Sequence, residues 1–510
     1  MRFMHRASFC IFISLLALGI SPASSAGDGD VPLVQRQWFE TRTAHFNIYS
    51  CGTPQEVNKV AGQLEEFCEA YSLLAGSQAV ASPPIVVMAF PDHETMKPFL
   101  PLYHGQPENL AGLFQHGNDE NLIVLSLPEA GAASMDMSVV FHEYTHLLFR
   151  RNDRIWPIWL KEGMAEVYST FATTGYTALI AQPIDHHLQL LAHEPLMPLT
   201  ELFAVTHDSP QYNERERQGI FYAESWLLTH FLMAGGNPAY KSRFGNFTTL
   251  LREGQTPVQA FTNALQTSLP AVESELRRYL ARGQFVPIQF TFPENVAGGK
   301  IFITRNLTPV ENYFRLGDEL LRIDRLDDAE TIFTAAKKLA PASPLPYEGL
   351  GLLAVRREQT DETLREFKEA LQRGSGSFLA HYLYAREKFQ LAADSQGRRG
   401  SLPGETAAEI HAELLKSIVL MPNFGPSHEL FGILEMARGE NLTLAVQHLQ
   451  LAVQLEPENP YFLLALADAQ ARNNDPQAAR RTLTVLLLPT VEAKLRAQAE
   501  ELLQQITGSK

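Results

Sequence analysis

The spacing of apolar and polar positions divides the chain into three kinds of sequence. From Val34 to about Glu129, short runs rich in β-branched and aromatic residues at Phe46–Ser50, Ile85–Phe90 and Leu122–Leu125 predict strands. Between the first two, Val57, Val60, Leu64, Phe67, Cys68 and Tyr71 recur at three- and four-residue steps, which predicts an amphipathic helix over 55–74. This mixture reads as a small α+β region. From Ser134 to about Arg282 the period becomes helical, with helices expected around His142 and over Trp159–Tyr168, Ile184–Ala192 and Ile220–Ala234. A Pro- and Gly-containing stretch over 285–308, with β-type runs around 287–292 and 301–304, then reads as a separator.

Beyond the separator the chain repeats. Gly317, Ala329, Phe333, Ala336 and Pro341 hold the small, small, aromatic, small and proline positions of a tetratricopeptide repeat, and Gly351, Phe367 and Ala370 return 34 residues after their counterparts. A third repeat over 382–422 is interrupted by a polar insertion around 395–404. A fourth (Gly432, Ala445, Leu449, Ala452, Pro457) and a fifth (Ala467, Ala479, Leu483, Leu486, Pro489) follow. Small residues let paired helices pack closely, and stacked pairs present a concave face that suits a protein or peptide partner. A spacer or docking role for the catalytic part is the alternative.

The polarity of the first residues changes the compartment expected. Arg2 and Arg6, the apolar run Phe9–Ile20 and the small residues up to Ala26 have the three parts of a secretory signal, with cleavage expected after Ala26. The run is too short for the ~30 Å of a bilayer core, so no integral membrane segment is expected once residues 1–26 are removed. Export, to the periplasm or beyond the cell, makes a Cys51–Cys68 disulfide permissible, while the place of Cys68 in the apolar stripe suits a free thiol equally. The net charge of −15 argues against nucleic acid as a general partner.

The chemistry concentrates in two short segments. His142-Glu143-Tyr144-Thr145-His146 sits among Val139, Val140, Phe141, Leu147 and Leu148, which marks its helix as buried, where unpaired His and Glu would be costly. A four-residue step turns a helix through about 400°, so both imidazoles leave one face as metal ligands. Glu143 lies beside the metal, where a carboxylate can take a proton from water. The third ligand is expected from Trp159-Leu160-Lys161-Glu162-Gly163-Met164-Ala165-Glu166, in which Glu162 and Glu166 stand one turn apart. Glu162 is placed to bind the metal and Glu166 to fix an imidazole tautomer. A HExxH sequence alone also occurs on solvated helix faces, and the Trp159–Glu166 segment is what separates the readings. His186 and His187 read as surface residues.

These segments resemble the gluzincin zinc metallopeptidases. Trp159–Glu166 is similar to the WLxEGxAE helix of aminopeptidase N relatives, although the gap from His146 to Glu162 is shorter and no GxMEN segment is present, so aminopeptidase specificity is not implied. Bacterial proteins with a peptidase-MA-like domain are a closer match, through His45-Phe46-Asn47-Ile48-Tyr49-Ser50, the HExxH segment, WLKEGMAE and Tyr222-Ala223-Glu224-Ser225-Trp226, over about 36–285. The resemblance implies one Zn2+ held by His142, His146 and Glu162, with Glu143 as general base and Glu166 supporting a ligand. It implies Tyr222 as oxyanion donor, with His230 as the alternative and Tyr212 third. It also implies an edge strand before the metal helix that pairs with substrate, for which 110–114 is the candidate; one arm of a hairpin through Asn118-Asp119 is the other reading.

The expected architecture is therefore an α+β gluzincin-like metallopeptidase followed by an all-α tetratricopeptide-repeat solenoid. Its parts are a signal peptide over 1–26, an α+β subdomain over 27–130, a helical zinc-binding subdomain over 131–285, a linker over 286–310 and repeats over 311–510. The function expected is that of an exported zinc peptidase acting on a peptide or protein, with a further protein partner on the repeats. The alternative is a latent or non-catalytic protein-binding scaffold of the cell envelope.

Overall fold

The computed structural model describes residues 32–508 except 76–84, 104–105, 108–111, 118, 128–136, 150–155, 175, 214, 236–237, 293–301, 397–403, 458 and 489–490. The leader expected over 1–26 lies outside the described residues. The chain forms two compact units. Residues 38–306 make the first, and residues 32–37 join those from Leu307 onward in the second.

The first unit is built on a sheet of β1 (Phe39–Arg42), β2 (Phe46–Ser50), β3 (Ile85–Phe90), β6 (Gly112–Gln115), β7 (Asn121–Ser126) and β11 (Ile303–Asn306), while β4 (Leu102–Tyr103) and β5 (Gln106–Pro107) form a small separate hairpin. The order is β11-β1-β2-β3-β7-β6. Parallel pairing of β2 with β3 requires a crossover, and the helix α1 (Pro54–Ala75) supplies it. Its stripe is buried as the spacing predicts, with Phe67 stacked on Phe141 at 4.5 Å. β6 ends the sheet and is also the antiparallel hairpin partner of β7, so both readings of that segment describe the same strand.

The helices of this unit are α2 (His93–Met96), α3 (Ser138–Phe149), α4 (Ile158–Ser169), α5 (Asp185–His193), α6 (Leu199–Ala204), α7 (Pro210–Asn213), α8 (Arg215–His230), α9 (Pro238–Arg252), α10 (Pro257–Leu265) and α11 (Leu269–Arg282). Two expectations need correction. The stretch expected as a linker over 286–310 is woven into the first unit: β10 (Ile288–Thr291) pairs with β9 (Thr177–Ile180), itself paired with β8 (Ala172–Thr173), and β11 pairs with β1. An extended backbone must satisfy its N–H and C=O groups, and these distant strands provide the partners. Helix α8 begins at Arg215 rather than Ile220, so Tyr222 lies inside the helix and not at its start.

The second unit is a tetratricopeptide-type array of helix pairs. The pairs are α12 (Pro309–Arg322) with α13 (Leu326–Leu339), α14 (Leu345–Arg356) with α15 (Thr360–Gln372), α16 (Phe378–Gln396) with α17 (Gly404–Leu420), α18 (Gly425–Arg438) with α19 (Leu442–Leu455), and α20 (Pro460–Arg472) with α21 (Pro476–Thr484). A last helix, α22 (Ala493–Gly508), packs on the fifth pair. The small residues have a steric reason: a Cβ at Gly317 would lie 2.5 Å from the Phe333 ring, and one at Gly351 would lie 2.7 Å from Phe367. The polar insertion expected around 395–404 falls between α16 and α17, and its residues 397–403 lie outside the described residues. No helix among the described residues is long and apolar enough to cross a membrane.

Candidate metal centre

Helix α3 carries His142, Glu143 and His146, and α4, packed against it, carries Glu162 and Glu166. Pro157 starts α4, and Gln182 closes its C-terminal end by donating from its backbone N–H to Thr170 Oγ1 at 3.0 Å and from its side chain to the Thr170 carbonyl. On the far side of α4, Gly163 admits α8: a Cβ there would stand 2.3 Å from the Ser225 carbonyl oxygen and 2.1 Å from Thr229 Oγ1. The glycine between Glu162 and Glu166 thus sets how closely the third helix approaches the two carboxylates.

Three donor atoms converge between α3 and α4. His142 Nε2 and His146 Nε2 lie 3.2 Å apart, and Glu162 Oε2 lies 3.5 Å from the first and 3.2 Å from the second. The imidazole rings meet at 72°, with their centroids 4.9 Å apart. Glu162 Oε2 is buried, and His142 Nε2 and His146 Nε2 are the polar atoms set against it. Two nitrogens and one carboxylate oxygen are the donor set of catalytic zinc sites, and this grouping fits a divalent ion.

The ionisable groups of the cluster also shift one another. Burial alone would lower the His142 pKa, but the Glu162 hydrogen bond and the charges of Glu166 and Glu143 outweigh it and push the imidazole up to about 9. Glu143 is raised by burial, with His142 and His146 opposing. Burial would raise Glu162 too, yet the charge on His146 and hydrogen bonds from His142 and His146 hold it well below the usual carboxylate range. Two buried carboxylates and the partly buried Glu166 share one pocket with the two imidazoles, so the charge of each group depends on the others.

Glu166 stands behind the cluster. Its Oε1 lies 3.4 Å from His142 Nδ1 and its Oε2 lies 3.2 Å from His187 Nε2. The expectation that His187 lies at the surface is therefore corrected: it is 4% exposed, on α5, with its ring against Trp226 of α8. The signal for this in the sequence is its alignment with Ile184, Leu188 and Leu191 at helical spacing, which turns it inward. His186, its neighbour, is held below the usual imidazole pKa by burial and by His187.

The candidate oxyanion donors separate. The Tyr222 ring is half-buried, 6.3 Å from His142 and 6.4 Å from Tyr212. Tyr212, third in the expected order, is buried and donates to Glu162 Oε1 at 3.3 Å. His230 has a different setting: fully buried, its Nδ1 bonds the Tyr279 hydroxyl at 2.9 Å and its ring packs on Trp226 and Phe285. Burial drops its pKa to about 4, as for a core histidine. Cys51 and Cys68 are not joined by a disulfide, and Cys68 Sγ lies 3.2 Å from the Tyr144 hydroxyl.

No family model and no curated protein matches this chain. Solved structures similar to it are helical-repeat proteins. YrrB, described as a tetratricopeptide protein with an unusual peptide-binding site, shares 17% identity over 37% of this chain and 91% of its own, at a TM-score of 0.31. The tetratricopeptide protein TTC0263 of Thermus thermophilus shares 22% over 38% of this chain and 98% of its own, at 0.29. PilF of Pseudomonas aeruginosa shares 14% over 39% of this chain and 93% of its own, at 0.30. Likenesses this distant carry no functional information.

Proposed function

We propose that the first unit is a zinc-dependent peptidase and that the chain acts outside the cytoplasm. The observation that carries this reading is the convergence of His142 Nε2, His146 Nε2 and Glu162 Oε2 within 3.5 Å of one another, with buried Glu143 next to His142 on the same helix. A zinc ion held by these three atoms would act as a Lewis acid toward a carbonyl and lower the pKa of water. Glu143 takes the proton of the attacking water and returns it to the departing amine. The Tyr222 hydroxyl is the candidate donor to the oxyanion, and Glu166 keeps His142 Nδ1 protonated so that Nε2 faces the centre. Strand β6, the last strand of the sheet, lies against α3 and offers an extended peptide an edge beside the site.

The test is cleavage of a diverse peptide library, read by mass spectrometry, with the wild-type chain and its Glu143→Gln variant at equal zinc content. Cuts made only by the wild type support a peptidase. Equal cutting by both removes Glu143 as the base and with it this mechanism.

The helix-pair array favours a second reading, in which protein binding by the repeats is the main function and the metal centre is latent. An extract passed over immobilised Glu143→Gln chain distinguishes the two. A scaffold retains its partner intact on wild type and variant alike, whereas a substrate is retained by the variant and cut by the wild type.

A further inference from the structure

Four helices contribute to one line of contacts behind the metal centre. Trp226 on α8 supports the His187 ring on α5, His187 Nε2 reaches Glu166 Oε2 on α4 at 3.2 Å, and Glu166 Oε1 reaches His142 Nδ1 on α3 at 3.4 Å. Every polar atom in this line is buried or nearly so: the side chains of His142, Glu166 and His187 are 12%, 14% and 5% exposed. We infer that His187 is a positioning residue for the metal centre, acting through Glu166 on the ligand His142. The inference rests on the zinc reading above.

The two oxygens of Glu166 have separate tasks. An ionised carboxylate only accepts, so the imidazole nitrogens beside it, His142 Nδ1 at 3.4 Å and His187 Nε2 at 3.2 Å, are placed to turn an N–H towards it. The first donation leaves His142 Nε2 with its lone pair toward His146 and Glu162. The second keeps Oε2 of Glu166 occupied, so the carboxylate cannot rotate and bind the metal itself. Glu166 is one turn from the ligand Glu162 on the same helix, which makes that rotation the natural failure of the site without His187. Burial of Glu166 beside Glu162 also stacks like charges, and the His187 N–H offsets part of that cost by helping to hold Glu166 below the usual carboxylate pKa.

The alternative is that His187 merely fills space between α5 and α8. Zinc affinity separates the roles, because a filler of the same volume would preserve it. The experiment measures zinc stoichiometry and dissociation constant by competition with a chromophoric chelator, in the full chain. The variants are His187→Leu, His187→Gln, Glu166→Gln and the double variant His187→Leu/Glu166→Gln, each first checked for thermal unfolding without metal. His187→Leu is expected to weaken zinc about 10–100-fold, the loss typical of groups behind a metal ligand. His187→Gln, which keeps an N–H in reach, should restore most of the affinity. In the Glu166→Gln background, His187→Leu should cause little further loss, since the path to His142 is already broken. Wild-type affinity in His187→Leu overturns the inference, as does an equal loss in both backgrounds. A wild-type chain that binds no zinc overturns the metal reading as well, so the two failures are told apart by the first measurement.

Discussion

The two units pair some of their buried carboxylates differently. In the repeat unit several buried charges find an opposite one on a neighbouring helix or turn: Glu366 with Lys337 at 3.0 Å, Asp318 with Arg322 at 3.0 Å, Glu435 with Arg438 at 3.2 Å. In the first unit Glu143, Glu162 and Glu166 are gathered around His142 and His146, with no Lys or Arg in ion-pair contact with them among the described residues. Local pairing makes each repeat self-sufficient, as a solenoid stabilised by nearest neighbours requires. Concentration without cationic side chains is costly to stability and has a use only if a cation or a proton arrives. The contrast is one of charge arrangement, with carboxylates gathered around histidines in one unit and set against lysine or arginine in the other.

The contrast breaks most easily at the large aromatic of the first repeat. Phe333 is fully buried and fills the space above both Gly317 and Gly349, so Phe333→Ala should cost about 3–5 kcal/mol. Calorimetry of the full chain should show a repeat-unit transition lowered in temperature, and zinc affinity should not change. A loss of zinc binding in this variant would show that the units are not separable in function.

A smaller effect is expected between the carboxylates. Gly163→Ala forces a Cβ onto the Ser225 carbonyl, a backbone atom that cannot rotate away, and overpacking of this kind costs about 1–3 kcal/mol. Here the first-unit transition should fall and zinc affinity should fall with it, because α8 supports His187. Unchanged thermal stability would mean that α8 moves freely and that the helix contact does not define the site.

Acid should separate the units more gently. In the repeat unit His428 Nδ1 and His448 Nδ1 lie 2.9 Å apart while His428 Nε2 donates to the Pro422 carbonyl, so the pair is neutral, with His448 as donor. Burial first, then the charges of His428 and His411, lower the His448 pKa to about 4, and burial lowers His428. Groups whose folded pKa is depressed leave the unfolded chain binding more protons, so stability is lost as pH falls from about 6.5 towards 4. Thermal unfolding followed from pH 7 to pH 5 should show the repeat transition dropping, and His448→Leu should flatten that slope. An equal slope in the variant would place the acid sensitivity elsewhere.

The parts legible in the sequence are those set by local spacing. A step of four residues from His142 to His146, and another from Glu162 to Glu166, fixes a helix face whatever surrounds it, and the 34-residue return of Gly and Phe fixes the helix pairs. The hidden parts depend on distant partners. The β-type runs that become β10 and β11 are visible in the sequence, but their membership of the first unit is not, because the strands that complete their hydrogen bonds lie more than a hundred residues away, at β9 and β1. His187 reads as surface when judged by its polar neighbour rather than by its place in the stripe of α5. Tyr212, on a four-residue helix with little pattern of its own, is brought to Glu162 by the packing of α7 on α8.

The most direct test of the metal centre is X-ray absorption at the zinc edge on the full chain with one equivalent of zinc, beside His146→Ala. Two imidazole nitrogens at about 2.0–2.1 Å are expected, with oxygen completing a four-coordinate shell, and one imidazole fewer in the variant. An identical spectrum in the variant, or a shell of water oxygens alone, would contradict a centre built on His142, His146 and Glu162.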